Sequence, residues 1–282
     1  MIKPISGIPA LLLYSEKNEL ILVVSDLHLG FEINLSERGI NIPSQSHKLL
    51  VKIKRLVKRY NPSKIIFLGD LKHNVTRISL REWRDIPVFL ENLLKLDISI
   101  DVIIGNHDGN LAALVPRSIN IFSSRGITLK LNNGEYVGLI HGHAWPSKDI
   151  FKANTIIMGH IHPMIELKDV LGFKFIEPIW MMINISTTSL IKNYLKYLKI
   201  KNPNNDPLDI FTKKFGFIPK TSKIIVMPAF NRNLGGISVN KIKSTKLLGP
   251  ILAENIMKPE KSEIYLLDGT YLGALALIKK LQ

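Results

Sequence analysis

Residues Ile103 to Gly109 read Ile-Ile-Gly-Asn-His-Asp-Gly, and the fold is read outward from them. An apolar strand, Ile100 to Ile104, runs into a glycine and then delivers three functional side chains. Asn106 offers a neutral amide oxygen to a metal. His107 is a proton donor that can be tuned near neutral pH. Asp108 can fix the imidazole's tautomer and direction. Gly105 and Gly109 are expected to let the backbone turn sharply on either side.

Four other stretches are built the same way. The strand Glu19 to Val24 ends in Ser25-Asp26-Leu27-His28, and Ile65 to Leu68 ends in Gly69-Asp70-Leu71-Lys72-His73. Tyr136 to Ile140 ends in His141-Gly142-His143, and Thr155 to Met158 ends in Gly159-His160-Ile161-His162. Residues i and i+2 of an extended segment point to one side, so Asp26 with His28, and His160 with His162, should project together. A carboxylate beside an imidazole is half of a divalent-metal site. Asp70, at the mouth of a buried strand, can bridge two cations through its two oxygens. Of the 8 histidines only His47 lies outside these stretches, so clustering rather than number carries the inference.

The chain has no cysteine, which excludes disulfides and thiolate metal sites. Oxygen and imidazole donors suit manganese, iron, zinc, nickel or magnesium without ranking them, and manganese is the ion expected. With 282 residues and 46% hydrophobic content the chain can bury a full core. The net charge of +15 points to an anionic partner such as nucleic acid or nucleotide. A lysine- and isoleucine-rich composition with only Gln45 and Gln282 as glutamines also fits a thermophilic surface, which weakens that inference. No targeting segment or membrane span is read, so a cytoplasmic protein is expected.

Coarse periodicity predicts a hairpin from Ala10 to Val24 and a helix from Ser44 to Tyr60. A loop is expected over Glu32 to Pro43, and a helix from Ser79 to Leu96 kinked or broken at Pro87. On the first helix Lys48, Lys52, Arg55 and Arg59 read as a solvated face rather than a phosphate track. Further along come strands at Phe173 to Ile185, with Pro178 as a possible break, and at Lys223 to Met227. Helices are expected at Thr188 to Ile200 and Asp209 to Phe217, with a loop at Asn202 to Pro207. Pro228 to Gly236 reads as a loop near the site, Leu247 to Met257 is ambiguous, and a closing hairpin turns at Asp268-Gly269.

The five blocks, in this order, resemble the calcineurin-like metallophosphoesterase superfamily over residues 20–165. The resemblance implies an α/β fold, a β-sandwich flanked by helices in α-β-β-α layers. The chain is expected to form a single domain spanning 1–282, with a mainly helical insert at about 186–222 as an elaboration that could cap the cleft. The resemblance also implies two divalent metal ions. Asp26, His28 and His162 would hold one, Asn106, His141 and His160 the other, and Asp70 would bridge them. The ions would activate water and neutralise charge on a phosphate, while His107, oriented by Asp108, would protonate the leaving oxygen or stabilise its charge. His73 and His143 would meet the substrate or support a ligand. Gly-Asp-Leu-Lys-His, with Met227-Pro-Ala-Phe-Asn and Gly235-Gly236, is similar to the SbcD-type nucleases and their small archaeal relatives. This narrower likeness speaks to ancestry more than to substrate; taken with the whole motif set and the +15 charge, it leads to the expectation of a phosphodiesterase or nuclease acting on nucleic acid, with DNA-repair proteins as partners and no membrane. A small-nucleotide phosphodiesterase or phosphatase is the alternative, and a scaffold without activity is a third reading that the retained His107 disfavours.

Overall fold

The structure is a computed structural model that describes residues 1–37, 39–169, 171–200, 205–241, 249–253, 256 and 259–280. The expected loop at 202–207 is outside the described residues over 202–204, as is much of the ambiguous stretch 247–257.

The first sheet has the order β1 (Ile2–Pro4), β2 (Ala10–Tyr14), β3 (Leu20–Val24), β4 (Lys64–Leu68), β5 (Ser99–Ile103) and β6 (Asn120–Phe122). β1 to β3 pair antiparallel, and β3 to β6 pair parallel. Between them run α1 (Glu32–Ser36), α2 (Ser46–Tyr60) and α3 (Leu80–Leu94). The second sheet contains β7 (Ile127–Lys130), β8 (Tyr136–Ile140), β9 (Thr155–Met158), β10 (Pro163–Lys168), β11 (Lys174–Asn184), β12 (Lys223–Val226) and β13 (Ile237–Ser238), in the order β13-β10-β11-β12-β9-β8-β7. The insert helices α4 (Thr187–Tyr197) and α5 (Pro207–Phe215) fall between β11 and β12. The hairpin β14 (Glu263–Leu266) and β15 (Tyr271–Ala274) joins through β11 and leads to α6 (Leu275–Lys280).

Period-two side-chain alternation, applied to strands buried on both faces, explains the layers. On β3, Ile21 and Val23 face the second sheet while Leu22 and Val24 face α2 and α3. On β9, Ile157 faces the first sheet while Ile156 and Met158 face the outer helices. The result is a helix–sheet–sheet–helix sandwich, the α-β-β-α order. Asp101 interrupts the apolar run of β5 and is paired with Lys64 Nζ at 2.7 Å.

Several local expectations are corrected. A short helix, α1, occupies part of the expected loop at Glu32 to Pro43. α3 runs unbroken through Pro87, because Ile86, Phe89, Leu90 and Leu93 pin it to the core. β11 also passes through Pro178, at the point where its neighbour changes from β10 to β14 and few ladder bonds are lost. Lys52 leaves the solvated face of α2 and lies 4.3 Å from the Phe230 ring centroid. α4 starts beside the Asn184–Lys223 pair, at the amino end of β12. It packs on the outer face of the second sheet through Leu190, Ile191, Tyr194 and Leu195, forming a layer rather than a lid over the strand carboxyl ends. Among the described residues no helix is long and apolar enough to cross a membrane.

Candidate metal centre

The chemistry-bearing loops leave the carboxyl ends of β3, β4, β5, β8 and β9, where parallel strands gather sites. Backbone pairing continues past the strands: Asp26 N–H donates to the Gly69 carbonyl at 3.2 Å and His28 N–H to the Asp70 carbonyl at 2.8 Å. The convergence does not come from the pleat. Asp26, His28, Asp70, His160 and His162 all have positive φ, half of the ten described non-glycine residues that do. Left-handed backbone costs about 1–3 kcal/mol per residue and persists where surrounding contacts impose it. Asp26 and His28 therefore meet through left-handed loop rather than extended strand, whereas His160 and His162, expected to project together, join different groups.

Gly105 and Gly109 are corrected too, since neither is left-handed. Gly105 is needed for close approach: a Cβ there would lie 2.2 Å from Asp70 Oδ1.

Asp26, His28 and His162 place one donor atom each within 4.8 Å of one another, and so do Asp70, His141 and His160. Asp70 Oδ2 lies 3.3 Å from both His28 Nε2 and His141 Nε2, between the two groups. Asn106 Oδ1 lies 3.1 Å from His141 Nε2. A third group joins His28, His73 and His107. His143 stands beside the second group, its ring 5.4 Å from that of His141, with Nδ1 buried and unpartnered. His47 is exposed on α2, away from the cluster.

Tautomers make this arrangement informative. His141 Nδ1 donates to the Leu68 carbonyl at 2.8 Å, and His162 Nδ1 donates to the Gly235 carbonyl at 3.1 Å. Each Nε2 then turns toward acceptor oxygens, with His162 Nε2 3.2 Å from Asp26 Oδ1. Lone pairs held that close repel unless a proton or a cation sits between them. Two donors each about 2.1 Å from one cation are about 3.0–3.4 Å apart at tetrahedral to octahedral angles. The observed 3.1–3.3 Å contacts fit that spacing. His28 Nε2 and His162 Nε2 are buried without a hydrogen-bond partner, as expected of groups built to hold a divalent ion.

Electrostatics agree. Burial pushes His28 down to about 3 and His160 down to about 4, leaving both neutral for ligation. Burial also disfavours charge on His141, but the Asp70 and Asp26 carboxylates outweigh it and hold the group up at about 9. Asp70 is held well below the usual carboxylate range, the histidines around it overcoming desolvation.

The expected pairing of Asp108 with His107 is corrected. Asp108 is buried and accepts N–H groups from Leu71 at 2.9 Å, Lys72 at 3.1 Å and Gly105 at 2.9 Å. It ties the β4 loop to the β5 loop and makes no hydrogen bond to the imidazole. His107 Nδ1 donates instead to the main-chain carbonyl of His73. The sequence reading also overlooks Ser25, whose hydroxyl donates to Asp26 Oδ2 at 2.6 Å, and Asn231, whose amide donates to the Leu27 carbonyl at 3.0 Å. It overlooks Glu82 as well, although Ser79-x-x-Glu82 has capping-box spacing.

Residues 20–177 match the calcineurin-like phosphoesterase family model. No curated protein matches the chain. Among solved structures the nuclease MPE of Pseudomonas putida aligns with 16% identity and a TM-score of 0.47 over 95% of this chain and 98% of that one. Yfce, a phosphoesterase from E. coli, aligns with 16% identity and a TM-score of 0.34 over 53% of this chain and 73% of that one.

Proposed function

The chain belongs to the calcineurin-like phosphoesterase family, a family of metal-dependent ester hydrolases, and from that premise we propose that it is a two-metal phosphodiesterase acting on nucleic acid. The observation that carries the reading is the pair of nitrogen-to-oxygen contacts centred on Asp70 Oδ2, 3.3 Å from His28 Nε2 and from His141 Nε2.

In this reading Asp26, His28 and His162 hold one divalent ion, Asn106, His141 and His160 hold the other, and Asp70 is shared. When bound, the two ions supply an activated water and neutralise charge on the phosphate; these donors accept manganese, iron, zinc or nickel, and manganese is the ion proposed. Ser25 and the backbone N–H of His160 hold the Asp26 carboxylate in place. His107, with Nδ1 engaged by the His73 carbonyl, presents Nε2 to protonate the leaving oxygen. Asp108 keeps the loops of Asp70 and Asn106 in register. His143 contacts the substrate from the other side.

Substrate class rests on charge and shape. A cavity of about 500 Å³ opens beside Asn74, between Ile33 and Glu37 on one wall and Arg77, Ile78 and Arg81 on the other. Arginines suit phosphate oxygens and apolar side chains suit base faces. Kinship with SbcD-type nucleases, and with it a link to DNA repair, is proposed from the Gly69 to His73 and Met227 to Asn231 blocks of the sequence; the second block lies beside the centre, where Phe230 N–H donates to the Ser25 carbonyl at 2.8 Å. We further propose a single domain in which the helices at about 186–222 thicken the outer layer.

The test is a panel of single- and double-stranded DNA, RNA, cyclic nucleotides and a chromogenic bis-ester, each with manganese, magnesium, zinc or chelator. Metal-dependent polymer cleavage, with binding that weakens steeply in salt, is expected. Turnover of cyclic nucleotides alone would shift the assignment to a small-nucleotide phosphodiesterase. No metal-dependent hydrolysis of any ester would refute the reading.

A further inference from the structure

Glu82 is a buried charge that the metal centre leaves unexplained. It sits in the first turn of a 15-residue helix, α3, yet its side chain has no accessible surface. Its two oxygens divide their work. Oε2 accepts from Ser79 N–H at 2.7 Å, Ser79 Oγ at 2.8 Å and Asn74 Nδ2 at 3.0 Å, which closes the helix cap. Oε1 accepts from the backbone N–H groups of His73 at 3.1 Å and Asn74 at 2.8 Å. Capping the helix requires nothing of Oε1.

The second of those N–H groups matters most. The Asn74 N–H and the His73 carbonyl are two ends of one peptide unit, planar and stiff. That carbonyl is the acceptor for His107 Nδ1. We infer that Glu82 is a positioning residue for His107, acting through the His73–Asn74 peptide: a carboxylate, a peptide unit and an imidazole in series. This rests on the proposed role of His107 as proton donor. Pulling on the N–H polarises the carbonyl and strengthens the bond that fixes the ring's direction and tautomer. Lys72, with a fully buried side chain, donates Nζ to the Asn74 carbonyl and clamps the same turn from its other side. With Asp108 spent on backbone N–H groups and Asp70 accepting only the main-chain N–H of His107, Glu82 is the carboxylate that leads to the His107 imidazole among the described hydrogen bonds.

A positioning role is separable from a structural one by the leaving group. A phenolate leaving group needs a proton more than a p-nitrophenolate does, so damage to proton donation falls mainly on the phenyl ester. Two methyl aryl phosphodiesters, phenyl and p-nitrophenyl, are assayed with saturating manganese. His107→Ala should lower kcat on the phenyl ester by about 10²-fold or more and on the nitrophenyl ester far less. Glu82→Gln should lower kcat on the phenyl ester by about tenfold, with KM and the nitrophenyl rate within about twofold. The double variant should be no more selective than His107→Ala alone. Ser79→Ala, which removes the cap hydroxyl but keeps the carboxylate, should lower Tm and leave the ratio of the two rates unchanged.

If Glu82→Gln lowers both esters equally, or moves neither, the inference is wrong, and a changed ratio in Ser79→Ala is equally fatal. If His107→Ala itself does not discriminate between the esters, it is the role of His107 that fails. Should Glu82→Gln not fold, Glu82→Asp, one methylene short of the Asn74 N–H, is read by the same ratio.

Discussion

A single added methyl group tests the centre more sharply than deletion of a ligand. In Gly105→Ala the new Cβ would lie 2.2 Å from Asp70 Oδ1 and 2.4 Å from Asp70 N, whereas ordinary contact begins near 3.4 Å. Asp70 or the β5 loop must therefore yield by about 1.2 Å, the difference between those distances. The carboxylate cannot swing away freely, because Oδ1 accepts His107 N–H at 2.8 Å and Oδ2 faces two imidazoles at 3.3 Å. A misplacement of about 1 Å at a reacting centre costs on the order of 10²-fold in rate. Overpacking of this kind costs about 1–3 kcal/mol in stability. We expect kcat to fall about 10²-fold, manganese affinity by calorimetry to weaken, and Tm to drop by a few degrees. The control is Gly235→Ala, beside His162, where a Cβ meets nothing within 4 Å and φ is not left-handed; it should behave as wild type. Wild-type turnover and metal affinity in Gly105→Ala would mean that Asp70 is not held where its distances place it, and the shared-ligand argument would be lost.

Three further outcomes are expected. His107→Ala should bind metal as wild type does, by calorimetry, while turnover of nucleic acid falls about 10²–10⁴-fold; lost metal binding would make His107 a ligand instead. Metal uptake should release protons at pH 7.5: His141 is held up at about 9, burial opposing charge but the two carboxylates outweighing it, so a cation must displace its proton. Affinity should then fall about tenfold per pH unit, per displaced proton, as pH drops below 9, whereas the ion pair's contribution to metal-free stability is complete below His141's ordinary 6.5 and lost as pH rises through about 9; identical binding heats in buffers of different ionisation enthalpy would contradict this. Manganese at about 100 times its Kd should add about 2.7 kcal/mol of stability, seen as a Tm several degrees higher than in chelator, and an unchanged Tm would argue against a bound ion.

The layers were legible because both-face burial writes itself into β3, β4, β8 and β9 as continuous apolar runs, each ending in a polar block. The donor residues were legible because few side chains bind hard or borderline cations, and in a chain without cysteine they are conspicuous. Less local features were misread. Pro87 looks like a kink or a break and Pro178 like a break, yet packing of Ile86 and Phe89, and the change of strand partner at Pro178, keep both elements continuous, which overturns the breaks. Asp26 with His28 look like a pleated pair, yet both are left-handed. Asp108 looks like the imidazole's partner by adjacency alone, and the neighbouring backbone takes it first.

By itself, then, the sequence determined the kind of donors, their place at strand ends and their order along the chain, since these follow from residue identity and a period of two. Only the tertiary structure decided which donor faces which, that Asp70 lies between two groups, and that the His107 imidazole is tied through the His73–Asn74 peptide to Glu82. Those outcomes depend on separations of a few tenths of an ångström between residues far apart in sequence. Such separations are set by how the loops are pinned to one another across the two sheets, and no residue type encodes them.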